Sequence, residues 1–420
     1  MNQGLHLVLL GAGHAHIYLL KHLVRMASLA QTPKLKITLV SPHAKTYYSG
    51  MVPGLVAGLY EFDECAIHVP ALLQNSPIQW HACHATGIDV NAKKVFLENG
   101  ECLAFDLLSV DTGAGLDTSQ LDPILPGASQ HCVLLRPLEN LANNWASIEK
   151  KLNSSPTTSS SSALHNSVKK PISVIGGGAA GFEIACSLAY RFPNTQVSLI
   201  AGAQGLGPSY NASVSQAMQQ QAKFLGIQIL NQKVQEVQAN QLILSKSTNH
   251  QHPTSLPSEM SWLAIGSMAP NWLKQSGLQL DEKGFVAVNE FQQSVSHTWV
   301  FAAGDVASRT DKIHPRSGVY AVRAGPALAR NIVLYCKQEN LLPHVLPATT
   351  LNLLACGRRY AIASYGAYSF KGAWVWYLKN YIDKKFMKKY LIILSLFFSI
   401  SNCFCQTEKE TIDFLNTKLS

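Results

Sequence analysis

The sequence predicts an α/β chain in which two strand–glycine turn–helix units each begin a parallel sheet with helices on its faces. Three stretches carry this expectation. PISVIGGGAAGFEIACSLA, Pro171 to Ala189, runs from an apolar strand through Gly176, Gly178 and Gly181 into a helix pattern. LHLVLLGAGHAHIYLLKHL, Leu5 to Leu23, repeats that order, with Gly11 and Gly13 in the turn and His16 in place of the third glycine. HTWVFAAGDVA, His297 to Ala307, is another apolar strand pattern, running into Gly304 and Asp305 ahead of a helix pattern that starts at Gly318.

In G-x-G-x-x-G the first glycine makes the tight turn, the second lets a pyrophosphate approach the backbone, and the third lets helix and strand pack closely. A phosphate then meets free N–H groups and the positive end of the helix dipole. In a strand–turn–helix setting this spacing reads as dinucleotide binding. Two such units point to two nucleotides and to electron transfer between them. A duplicated fold with one site lost stays open.

The remaining elements follow in order. LKITLVSP, Leu35 to Pro42, reads as a buried parallel strand, and Ser41 stands where an acid would hold an adenosine ribose. Residues 84–115 read as short strands about an Asn99-Gly100 turn, ending in a strand exit with Thr112, Gly113 and Gly115. Leu138 to Leu152 has helical periodicity. The polar NSSPTTSSSSALHNS that follows is expected to bulge from the surface. Past the central motif, Ala201 occupies the ribose-acid position and no arginine replaces it, so NADH and NADPH stay undistinguished. MSWLAIGSMAPNWL predicts a further apolar strand reaching Gly266.

A chain of 420 residues that is 47% hydrophobic and 14% charged has ample core and little capacity for disorder. Its net charge of +9 is unevenly spread: six lysines and one aspartate leave +5 between Lys371 and Tyr390, interleaved with Trp374, Trp376, Tyr377 and Tyr381. Basic-aromatic helices read as membrane-surface elements rather than nucleic-acid binders. Membrane-surface contact is therefore assigned to 371–400, no nucleic-acid partner is expected, and a helix face packed on its own domain stays the alternative. From Met387, MKKYLIILSLFFSISNCFCQ has the basic start, apolar run and small residues of a secretory signal, at the wrong end of the chain. The run is shorter than the ~20 residues of a membrane span. The tail reads as a membrane-surface anchor or as an unrelated segment joined to the chain.

Nine scattered cysteines include no C-x-x-C beside the first glycine turn, which argues against a redox-active disulfide there. A strand that begins within five residues of the start leaves no room for a secretory leader, and a reducing, cytoplasmic setting is expected. No metal is expected: His14 and His16 sit at a phosphate turn, and His81 and His84 fall on opposite faces of a predicted strand. Their spacing matches no usual zinc pattern.

The order of these motifs resembles the pyridine nucleotide-disulfide oxidoreductase superfamily, and within it the type II NADH dehydrogenase-like branch. GAGHAHIYLL, YYSGMVPGLVAGLYEFDE, HPRSGVYAVRAGPALARNI and WVWYLKNYIDKKFMKKY resemble most closely the flavoprotein module fused N-terminally to selenophosphate synthase, over residues 5 to 390. The resemblance implies two Rossmann-like dinucleotide-binding domains, the FAD domain interrupted by the NAD(P) domain. The FAD domain would comprise 1–115 and 288–340. The NAD(P) domain would comprise 116–287 with the Ser-rich insertion at 153–167. A small C-terminal strand and helix segment, 341–390, would form an interface or membrane-surface element ahead of the atypical tail, 391–420.

By the same resemblance Gly11, Gly13 and His14 contact the FAD pyrophosphate, and the Thr46 to Gly54 loop, with Tyr48, Ser49, Gly50 and Pro53, lines the isoalloxazine. Thr112 and Gly113 close over the nucleotide, Gly304 and Asp305 hold the ribityl or pyrophosphate region, and Gly318, Val319 and Tyr320 approach the flavin pyrimidine edge. Gly176, Gly178 and Gly181 cradle the pyrophosphate of NADH or NADPH. Glu183 is the catalytic candidate, near the nicotinamide; an acid favoured by the helix dipole is its alternative.

The implied function is an FAD-dependent NAD(P)H oxidoreductase that passes a hydride from nicotinamide to flavin and then electrons to a second small-molecule acceptor such as quinone. Arg323 departs from this pattern, because quinone-reducing relatives carry glutamine there. Two alternatives remain: a sulfide:quinone-type oxidoreductase, which needs Cys132 and Cys356 near the flavin, and a non-catalytic flavin-binding accessory module of selenium metabolism. No selenophosphate synthesis is expected. A homodimer and a peripheral position on the inner face of the membrane stay open.

Overall fold

A computed structural model describes residues 4–28, 35–115, 118–155, 169–246 and 254–390. The Ser-rich stretch from residue 156 and the tail 391–420 lie outside the described residues. Two five-stranded sheets organise the chain, and every strand pair in them is parallel. The first runs in the order Val300–Ala302, Leu107–Val110, Leu5–Leu10, Leu35–Val40, Gln79–His81. The second runs in the order Cys132–Leu134, Met260–Leu263, Lys170–Ile175, Thr195–Ile200, Gln228–Leu230. Each glycine turn therefore leaves the middle strand of its sheet. The long helices cover one face of each sheet, whereas the other face packs on antiparallel strands, Val8 and Leu10 against Ile88, Val95 and Leu97 in the first and Ile175 and Ile200 against Val234, Val237 and Leu242 in the second. The sequence predicts helices on both faces; with both faces buried either way, the strands still read as unbroken apolar runs.

A first and a second core lie on the helix-covered faces of the two sheets, with further apolar clusters on the opposite faces. Leu7, Leu9, Ile17, Leu20 and Phe301 pack the first sheet against the helices His14–Ser28 and Gly318–Cys336. Ile172, Val174, Phe182, Leu199 and Trp262 pack the second sheet against the helix Ala179–Arg191. The Asn99-Gly100 turn joins Lys94–Leu97 to Cys102–Ala104 as an antiparallel hairpin, with Ala85–Asp89 as its third strand.

Some elements are shorter than the apolar pattern predicts. The His297 to Ala307 run supplies only Val300–Ala302 to its sheet, because Gly304 turns left-handed at φ +70° and starts a 3-10 turn. His81 ends a strand and His84 lies beyond it, so the two are not opposite faces of one element.

The C-terminal segment ties the two cores together. Leu351–Cys356, Arg358–Tyr365 and Tyr368–Gly372 form an antiparallel sheet whose Leu354, Cys356 and Ile362 belong to the second core. The helix spanning 373–390 then returns Phe386, Met387 and Tyr390 to the first core. Its lysines are not one solvated face: Lys379 is 8% exposed and Asp383 is 4% exposed.

Phe182 is fully buried at the start of the second fold's helix. Phe182→Ala is expected to cost about 3–5 kcal/mol in denaturant unfolding; a cost below about 1 kcal/mol would contradict the packing described.

Candidate functional site

The first glycine turn is built around a carboxylate. Gly11 leaves its strand at φ +85°, and a Cβ there would lie 2.5 Å from the Asp111 carbonyl oxygen. At Gly13 and at Gly304 a Cβ would overlap the Asp111 carboxyl itself. Asp111 follows the strand Leu107–Val110, is 2% exposed, and accepts the His16 N–H at 2.9 Å. Burial pushes its carboxyl up to about 7, against the pull of the Ala15 and His16 N–H groups, and nearby Asp305 adds to the rise.

His16 replaces the third glycine by turning inward. Its Nδ1 lies 2.6 Å from the Gly11 carbonyl oxygen and its Nε2 lies 2.8 Å from Ser109 Oγ. The Nδ1 proton therefore goes to the carbonyl, and Nε2 accepts from the serine. Burial holds the ring down at about 4, so it is neutral. Asp305 Oδ2 accepts from Arg136 Nη1 at 2.6 Å. His14 Nε2 is buried with no hydrogen-bond partner among the described residues, and burial lowers the ring to about 4. Gly113, beside Thr112, sits at φ +70° with nothing within 4 Å of a Cβ position, so the space above this turn is open.

The loop of residues 48–54 is where the chain's parts meet. Lys379 Nζ donates to the Gly50 carbonyl at 2.6 Å and to Asp383 Oδ2 at 2.6 Å. The Tyr48 hydroxyl donates to the same aspartate, whose carboxyl is raised by burial. Ser187 Oγ donates to the Pro53 carbonyl at 2.7 Å, and a Cβ on Gly318 would lie 2.9 Å from Ser49 Oγ. The Tyr48 ring packs on Phe386 at 4.4 Å and meets His14 edge-on at 5.5 Å. Gly318 and Val319 open the long helix, and Tyr320 behind them stacks on His314 at 4.5 Å.

Glu183 lies one turn before Ser187. Its Oε1 accepts the Ala355 N–H at 2.7 Å, and burial raises its carboxyl to about 7, opposed by Lys379. Tyr48, Ser49, Gly50, Pro53, Gly318, Glu183 and His14 thus come together, as does the Gly11, Gly13, Gly304, Asp305 group beneath them. Arg323 is exposed and lines an outer groove with Arg330 and Pro343, away from this loop.

The second glycine turn separates two kinds of glycine. A Cβ on Gly176 would overlap the Ala264 carbonyl, and one on Gly181 would overlap the Gly176 carbonyl. Gly178 has extended backbone at φ −78°, ψ −174°, and a Cβ there would meet nothing within 4 Å. The fold demands the outer two glycines, whereas the bare backbone at Gly178 opens onto space. Such open glycines, Gly178 here and Gly113 in the first fold, fit a ligand that approaches the main chain. Ala201 is 8% exposed within the second core, and its carbonyl lies 2.6 Å from a Cβ position on Gly177.

The structure does not bring Cys132 and Cys356 together. Cys356 lies in the second core with Cys186, whereas Cys132 borders the cluster of Leu121, Leu125 and Ile175. Burial pushes the Cys132 thiol up to about 12 and raises Cys356 as well, so neither is a ready nucleophile. The sulfide-type expectation loses its thiol pair on this geometry.

Sequence reasoning missed four residues. Lys379 and Asp383 stand at i and i+4 in line with Val375 and Met387, and that register carried the signal. Asp111 stood at a strand exit directly before Thr112 and Gly113. Arg136 reaches Asp305 across 169 positions and has no local signature.

Gly181→Ala is expected to destabilise the fold by about 1–3 kcal/mol through overpacking. Gly178→Ala is expected to leave unfolding within about 0.5 kcal/mol of the unaltered chain, while weakening pyridine-nucleotide binding measured by titration. Equal losses of stability in both would overturn the distinction.

Residues 5–327 match the pyridine nucleotide-disulphide oxidoreductase family. The oxidoreductase ptaL of Pestalotiopsis fici is 21% identical over 392 residues, covering 87% of this chain and 93% of the relative. Among solved structures, NDH2 from Plasmodium falciparum in complex with NADH superposes with a TM-score of 0.73 at 15% identity, covering 91% of this chain and 98% of that one. The sulfide:quinone oxidoreductase of Aquifex aeolicus superposes with a TM-score of 0.70 at 18% identity, covering 92% and 91%. The chain belongs to the pyridine nucleotide-disulphide oxidoreductase family and is an FAD-dependent NAD(P)H oxidoreductase.

Proposed function

We propose that the loop of residues 48–54 faces the flavin, and that electrons leave it for a quinone-type acceptor. The observation that carries this reading is convergence. The first fold through Ser49 and Gly318, the second through Ser187 and Pro53, and the C-terminal helix through Lys379 and Gly50 all meet at this one loop. When bound, the nicotinamide supplies a hydride and the flavin ring accepts it.

The chain's own residues divide the remaining work. Gly11, Gly13, His14, Thr112, Gly113, Gly304 and Asp305 hold the FAD diphosphate and ribityl region, with Arg136 fixing Asp305. The N–H groups at Gly318 and Val319, free at a helix start, suit the oxygen at the pyrimidine edge. Gly176, Gly178 and Gly181 take the diphosphate of NADH or NADPH. Glu183, with its proton affinity near neutrality, stores a proton that Lys379, Asp383 and Tyr48 keep within the enclosed network. The same reading divides the FAD domain into 1–115 and 288–340, around an NAD(P) domain at 116–287.

The outward face of helix 373–390 supports a peripheral membrane position. Trp374, Tyr377 and Tyr381 are 57%, 55% and 61% exposed, beside Lys384, Lys385 and Lys388. Exposed aromatic rings flanked by lysines suit an anionic lipid surface. Among the described residues no helix is long and apolar enough to cross a membrane. The four segments similar to the module fused to selenophosphate synthase favour a second reading, in which the acceptor is a selenium or sulfur species.

Anaerobic mixing with NADH and with NADPH is expected to bleach the flavin absorbance; if neither does, the reading fails. A screen of quinones against selenium and sulfur oxidants on the reduced protein separates the two acceptor classes. Turnover with a soluble quinone is expected to fall as pH rises through about 7, where Glu183 loses its proton. Glu183→Gln should flatten that step, and a step that survives would remove Glu183 from the proton path.

A further inference from the structure

We propose that Asp111 is the proton-binding group of the flavin site: its carboxyl holds the helix amides that a dinucleotide diphosphate draws on, and it takes up a proton when the diphosphate is seated. This rests on the reading that the first glycine turn holds FAD.

The carboxyl lies at the start of the helix His14–Ser28, where Oδ2 accepts the His16 N–H at 2.9 Å and the Ala15 N–H bonds the same group. It is wedged between the two turns assigned to the diphosphate, since a Cβ on either Gly13 or Gly304 would overlap it. Among the described residues no lysine or arginine bonds it. Arg136, the nearby cation, is engaged with Asp305 at 2.6 Å. The other titratable groups facing it are His14 and His16 from the helix and Asp305 from the Gly304 turn. Both histidines are held neutral by burial.

A helix start carries only about half a positive charge. It cannot offset a diphosphate and a buried carboxylate together. Of the two, the carboxylate is the one able to give way, because its proton affinity already lies near neutrality, whereas the diphosphate stays ionised. The proton comes from solvent and remains on the carboxyl while the nucleotide is bound.

The test follows flavin release from the full-length holoprotein on dilution, read by FAD fluorescence. The apparent Kd is expected to be about tenfold larger at about pH 8 than at about pH 6, the linkage of one group titrating near pH 7. Asp111→Asn should flatten this dependence. As a second measurement, FAD is titrated calorimetrically into the flavin-stripped full-length chain in two buffers of different ionisation enthalpy. About half a proton taken up per FAD at about pH 7 supports the proposal, and this arm decides if Asp111→Asn does not retain flavin. FAD bound with pH-independent affinity, a slope that persists in Asp111→Asn, or one that vanishes in His14→Gln instead, overturns the proposal alone. No FAD binding at any pH overturns the underlying reading and the proposal with it.

Discussion

A buried ion pair holds the site together. Lys379 and Asp383 lie one helical turn apart, almost fully enclosed, and both reach the same loop: the lysine bonds the Gly50 carbonyl and the aspartate takes the Tyr48 hydroxyl. Removing one member of such a pair strands a charge in the interior, at a cost of about 3–5 kcal/mol. The pair is therefore sound only while the helix, the loop and the second fold keep their places. Ser187 at Pro53 and Ala355 at Glu183 extend the same constraint into the second sheet's helix. The first and second cores thus share one polar centre.

The two glycine turns solve related problems by different means. In the second, Gly176 and Gly181 are demanded by carbonyl oxygens of the fold, and Gly178 alone is left open. In the first, a carboxylate and a neutral imidazole fill the space beneath the turn. His16 bonds Gly11 and Ser109 where a third glycine would have let helix and strand close up. The first helix start is thus supported from below by Asp111, while the second stands clear. The two folds consequently present different electrostatic surroundings to an anionic nucleotide, although their strand order is the same in kind.

The apolar strands and the glycine spacings made the two sheets legible, because a parallel strand buried on both faces must be apolar throughout and a tight turn must be glycine. The helix from Gly318 and the Asn99-Gly100 hairpin were readable for equally local reasons. Strand lengths were not: the His297 to Ala307 run is apolar along most of its length, yet only three residues of it pair. The lysines near the C-terminus looked like one basic surface, since charge counting carries no information on which side of a helix a neighbouring sheet will lie.

Local chemistry therefore settled the fold class and the two strand–glycine turn–helix units, each of which depends on residues within a few positions of one another. Tertiary packing alone decided that Lys379 reaches the Gly50 carbonyl, that Arg136 meets Asp305, that Asp111 sits under Gly13 and Gly304, and that Cys132 and Cys356 stay apart. Those contacts join residues far apart in the chain, whose meeting depends on how two sheets and a returning helix close on each other, and no local pattern encodes that closure.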